Sequence, residues 1–97
     1  MTLSDVKLYL RIDYDAEDTL LETMVQAAEN YMVSAVTDYV KNYSESEKYA
    51  AAADICKMAI IAQMYEDRNS QQKGDFGFVI RSMINQLEYW SEEHHDS

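Results

Sequence analysis

The 97-residue chain contains no proline and only two glycines, Gly74 and Gly77. That shortage constrains its fold more than any other feature. Hairpins close through turns that enter the positive-φ region, where glycine is the usual occupant. A sheet of several strands would need several such turns. Proline, which breaks helices, is missing altogether. The sequence therefore predicts an all-α fold, a small bundle of about four helices with a polar tail.

The first predicted helix is short. Thr2 is followed three residues later by Asp5, a variant of the capping box, and Leu3, Val6 and Leu10 recur at helical spacing. It ends near Arg11 or Ile12. The second runs from about residue 16 to about 42, with a broad apolar stripe from Leu20 to Val40. Val33, Ser34, Val36 and Thr37 are poorer helix formers and mark a place where it can break. The third opens at Ser44, with Glu47 completing an S-x-x-E box, and continues to about residue 69. Its middle, AAAADICKMAIIAQM, is apolar nearly all the way round. One helix of a chain this small is hard to surround with its own chain, so part of it is expected at a subunit interface. SQQKGD, residues 70–75, is a polar loop. The fourth helix, about residues 76–90, carries one clean stripe from Phe76 to Trp90. Residues 1–90 are expected to form one helical domain, and the acidic tail 91–97 is expected to be disordered.

Size and charge narrow the function. A chain of this length buries roughly 60–65% of its unfolded surface, so its core is thin and a partner adds stability. A formal net charge of −10 argues against a general nucleic-acid binder, which needs a basic footprint. The single cysteine, Cys56, excludes an internal disulfide and reads as a small buried hydrophobe in a reducing compartment. The opening MTLSD lacks the basic start and apolar run of a secretory leader, and residues 49–65 are too short and polar to span a bilayer. These features lead us to expect a cytosolic protein with no membrane contact.

The stretch LRIDYDAEDTLL, residues 10–21, places Asp13, Asp15, Glu17 and Asp18 within six positions. Asp13, Asp15 and Glu17 fit the first three ligand positions of a calcium loop. Position six is then Asp18 where the turn needs glycine, and position twelve is Met24, which cannot ligate calcium. Paired carboxylates for acid–base chemistry need a pocket that splits their pKa values, and nothing nearby supplies a nucleophile. The better reading is a helix entrance. Asp15 serves as N-cap, and Glu17 and Asp18 face the positive end of the helix dipole.

Other candidates resolve in the same direction. Arg68 sits one turn from Tyr65 and has Glu66 and Asp67 beside it for local pairing. Tyr31, Tyr39 and Tyr43 fall near one stripe and suit core or subunit contact. Lys7, Arg11 and Lys73 are too scattered for a phosphate site. His94 and His95 are adjacent in a polar tail and point in different directions. No metal, cofactor or catalytic residue is expected.

The run LRIDYDAEDTLLETMVQAAENYM resembles the start of the phage head–tail connector family, also called adaptor or head-completion proteins. The matching features are Leu10 to Asp13, Asp18 to Leu21, and Ala27 to Tyr31. MYEDR, residues 64–68, resembles the end of that family's third helix, and GFVIRSMINQL, residues 77–87, its closing segment. The resemblance implies a structural virion protein rather than an enzyme. It would form a homo-oligomeric ring of about a dozen subunits under the portal. That ring would extend the channel through which DNA passes and offer a surface to the tail-completion or stopper protein. It would assemble in the host cytoplasm and reside in the virion neck. Residues expected at subunit or portal contacts are Tyr31, Tyr39, Tyr49, Ile60, Ile61 and Tyr65. Arg68, Phe76, Phe78, Arg81 and Trp90 complete that set. The competing reading is a small acidic DNA mimic that inhibits a host nucleic-acid enzyme in a salt-sensitive way.

Overall fold

The computed structural model describes residues 1–67 and 77–90. Those residues form five helices and no strand: α1 (Leu3–Leu10), α2 (Asp18–Ala35), α3 (Tyr39–Glu45), α4 (Glu47–Asp67) and α5 (Phe78–Glu88). The all-α expectation holds, with one helix more than the four expected.

The α1 boundaries follow from local chemistry. The Asp5 backbone N–H donates to Thr2 Oγ1 at 3.2 Å, and the Thr2 N–H donates to Asp5 Oδ2 at 3.0 Å. This reciprocal pair is the expected capping box. At the other end Arg11 adopts a left-handed conformation, φ 61° and ψ 43°. The Ile12 N–H then donates to the Lys7 carbonyl at 2.8 Å and the Arg11 N–H to the Leu8 carbonyl at 3.2 Å. That is a Schellman motif built on arginine where glycine is usual.

The extra helix comes from a break in the expected second one. Val36 is extended, Asp38 is left-handed at φ 58°, and α3 starts at Tyr39. Buried Ala28, Met32, Val36 and Tyr39 keep a helix-like spacing across the break, which hides it from a periodicity argument. The break is held from afar, because the Thr37 N–H donates to the Glu88 carboxylate of α5 at 2.8 Å.

The start of α4 also differs from expectation. Ser44 lies inside α3, and its hydroxyl donates to the Lys41 carbonyl at 2.9 Å. Ser46 closes α3 and opens α4. Its extended backbone donates N–H to the Asn42 carbonyl, and its Oγ accepts the Tyr49 N–H at 3.1 Å. Both SESE serines can cap, and only the second is followed by the long apolar run in the register that reaches the core. Ser46→Ala is therefore expected to lower stability by about 1 kcal/mol, and Ser44→Ala by less than ~0.5 kcal/mol, in urea denaturation.

α4 is the central element, touching α1, α2, α3 and α5. It buries Tyr49, Ala53, Cys56, Lys57, Ile60 and Ile61. Facing them are Val6 of α1, Leu21, Met24, Ala28 and Met32 of α2, and Ile80 and Leu87 of α5. The chain thus surrounds more of this helix than expected, and a single face stays open at Ala51 and Ile55. Arg68, Phe76, the 70–75 loop and the tail with His94 and His95 lie outside the described residues.

Candidate interaction surfaces

The acidic joint between α1 and α2 is spent on internal ties. Lys7 Nζ lies 2.7 Å from Asp15 Oδ1 and 2.8 Å from Asp18 Oδ1. Hydrogen bonds to Asp15 and then Asp18 raise the Lys7 ammonium pKa, and the same contact lowers that of the Asp15 carboxyl. The Tyr65 hydroxyl of α4 donates to Glu17 Oε1 at 2.5 Å, and the Tyr14 hydroxyl donates to the same oxygen at 3.0 Å. Asp15 is thus an ion-pair partner rather than the expected N-cap. Glu17 occupies the cap position without a side-chain capping bond, and Asp18 opens the helix. The long lysine reaching back from α1 drew both acids away from the backbone, which spacing within the acidic stretch cannot reveal.

A second polar cluster is buried between α2, α3 and α4. Lys57, 5% exposed, is the one buried charged residue among the described residues. Its Nζ lies 2.8 Å from Glu29 Oε1 and 3.4 Å from Asp54 Oδ1. It also sits over the Tyr43 ring, 4.6 Å from the centroid, and 5.8 Å from the Tyr39 centroid. The Tyr43 hydroxyl donates to Asp54 Oδ1 at 2.7 Å. Burial alone would lower the Lys57 pKa, but Glu29 and Tyr39 beside it outweigh burial and raise it. Burial pushes the Tyr39 hydroxyl up to about 12 and the Cys56 thiol up to about 11, and raises Tyr43 and Tyr49.

All five groups hold their protons more tightly in the fold than in the unfolded chain. Their contribution is complete below the unfolded-state values and is lost as pH rises through the folded ones. Stability by urea denaturation is expected to be flat from roughly pH 6 to 9, then to fall steeply above about pH 10. A plateau extending past pH 11 would contradict this cluster.

Part of the open surface is apolar. Ala51, Ile55, Met58 and Ala62 follow a four–three–four spacing along the outer face of α4, the spacing that seats a second helix. Beside it, Tyr9 of α1 and Met83 of α5 close a hollow of about 260 Å³ with Asp54, Ile55, Met58 and Ala59. A smaller hollow of about 150 Å³ continues along Ala52, Ile55, Met83 and Gln86. On the opposite flank of α5, Tyr31 of α2, Phe78, Arg81 and Asn85 line an open depression of about 430 Å³. Phe78 is 75% exposed and Ile55 is 62% exposed.

The structure sorts the expected contact residues. Tyr31, Phe78 and Arg81 come together on one flank of α5. Tyr39, Tyr49, Ile60 and Ile61 are 0–2% exposed within the subunit. A neighbour cannot touch them without opening the core. Trp90 packs edge-on against Tyr49, centroids 5.5 Å apart, and Tyr65 is tied to Glu17. Tyr9, Ile55, Met58 and Met83 went unnoticed as surface residues. For Ile55 and Met58 the signal was present, since they lie opposite the buried set on the helical wheel. Tyr9 and Met83 join them only through tertiary packing.

No group of three or more His, Cys, Asp or Glu among the described residues is placed to hold a metal ion. No described helix is long and apolar enough to cross a membrane. A small helical chain whose charged clusters tie its own helices together and whose surface keeps apolar stretches open has the features of a protein that works by contact. More specifically, the chain belongs to the phage gp6-like head-tail connector protein family, whose family model matches residues 1–89. This is a family of structural connectors of the virion neck, not of enzymes. No curated protein and no solved structure matches the chain.

Proposed function

We propose that this chain forms a ring of about a dozen copies beneath the portal, extends the DNA channel and presents a docking surface to the next tail-side protein. The family match over residues 1–89 carries this reading. An apolar groove on one flank of α5 and a mixed polar and apolar depression on the other support it, because a subunit that closes a ring needs two different contact surfaces. DNA passes without sequence-specific binding, repelled by an acidic chain of net charge −10. Six of the eighteen acids are taken up by groups of the same chain and so are poorly placed for a DNA mimic. Asp15 and Asp18 hold Lys7, Glu29 and Asp54 hold Lys57, Glu17 accepts two tyrosine hydroxyls, and Glu88 holds Thr37.

Light scattering of the purified protein, alone and mixed with the portal protein of the same genome, tests the proposal. A ring-sized species or co-migration with the portal is expected. A monomer that ignores the portal at every salt concentration would overturn the proposal and direct attention to a basic host target.

A further inference from the structure

We propose that neighbouring copies join head to tail, with the groove beside α4 of one copy receiving the Phe78–Arg81 edge of α5 from the next. The inference rests on the ring reading above and adds which faces meet. Asp54 is the one charged residue lining the groove. A third of its side chain stays open although it already faces Lys57. The edge carries one charge of opposite sign, Arg81, which is exposed and has no ion-pair partner among the described residues.

Charge decides between the pairings. Groove against groove would set Asp54 against Asp54, and edge against edge would set Arg81 against Arg81. Only groove against edge joins unlike charges while Phe78 fills the apolar hollow. On a chain of net charge −10 this pairing also brings no two acids together, since the groove holds Asp54 and the edge depression holds none. The two faces lie on opposite flanks of α5, so each docked copy leaves a free groove at one end and a free edge at the other. A contact of that kind repeats and closes into a ring when the rotation allows.

Cysteine cross-linking tests the pairing. Cys56 is fully buried, so its thiol leaves little background. Ile55→Cys lies at the exposed edge of the groove, and Ser82→Cys lies in the same depression as Phe78 and Arg81 and keeps both of those contact residues. The two variants are mixed in equal amounts, with portal protein if scattering shows that assembly needs it, and treated with oxidised glutathione. A disulfide forms only where Cα atoms come within about 7 Å. The mixture is expected to give cross-linked dimer in at least about tenfold excess over either variant alone, and Arg81→Glu is expected to lower the assembled fraction about tenfold without changing helix content.

Cross-linking of Ile55→Cys with itself, or none while wild-type protein forms rings, would overturn the pairing and leave the connector reading standing. Absence of any assembly by the wild-type chain, alone or with portal, would overturn both.

Discussion

Tyr49→Ala is expected to cost about 3–5 kcal/mol in chemical denaturation, one of the largest losses among single substitutions in this chain. Tyr49 is fully buried, and it joins three elements. Its ring lies 6.3 Å from that of Tyr39 in α3 and 5.5 Å from Trp90 beyond α5, edge-on at 84°. Removing the ring leaves a cavity that its two rigid aromatic neighbours cannot close by rotating. The hydroxyl contributes little, because it is buried with no well-formed hydrogen bond among the described residues and only the Asn42 side chain beside it. Tyr49→Phe should therefore stay within about 0.5 kcal/mol of wild type or exceed it, since an unmatched buried hydroxyl is itself a cost. A loss above about 1.5 kcal/mol for Tyr49→Phe would mean that the hydroxyl is bonded.

Lys57→Ala should come next, at about 3 kcal/mol. The substitution removes a buried aliphatic stem, the ion pairs to Glu29 and Asp54, and the cation held over Tyr43. It also leaves two carboxylates facing each other. Glu29 and Asp54 keep 38% and 33% of their side chains in solvent, so they rehydrate in part, and the loss stays below that of a fully buried pair. Lys57→Met fills the space without the charge and should lose only about 1–2 kcal/mol. A double-mutant cycle of Glu29→Gln with Lys57→Met reads the coupling directly. Additive losses would show that packing, and not the ion pair, holds α2 to α4.

How far the sequence could be read depended on the range of the forces involved. The Thr2–Asp5 box was legible because it depends on residues within one turn, and the α5 stripe was legible in part: Ile80 and Leu87 are buried and Met83 and Ile84 pack on the core, but Val79 is 63% exposed. The α2–α3 break was only half legible. Weak helix formers marked it, but Val36 stays in the core, and the bond that holds Thr37 comes from Glu88, 51 residues away. Arg11 gave no sign of its left-handed turn, since arginine is not the residue that usually takes it. The acidic joint was legible as structure and misread in detail. Lys7 recruits Asp15 and Asp18 from another helix, and capping rules consider only the local backbone. Among the surfaces, Tyr31, Phe78 and Arg81 were expected only as contact residues, and the fold gathers them on one flank of α5. The groove beside α4 was not legible, because three helices build it.

The central place of α4 also governs how the subunit opens. Each of the other four described helices leans on it, so none can detach without wetting part of the same core. Hydrogen exchange in the middle of α4 therefore requires opening of the whole subunit rather than local fraying. Amides from Cys56 to Ile61 should exchange slowest and with one common free energy of opening. A chain packed in that way stays closed or unfolds completely, with no helix that opens alone.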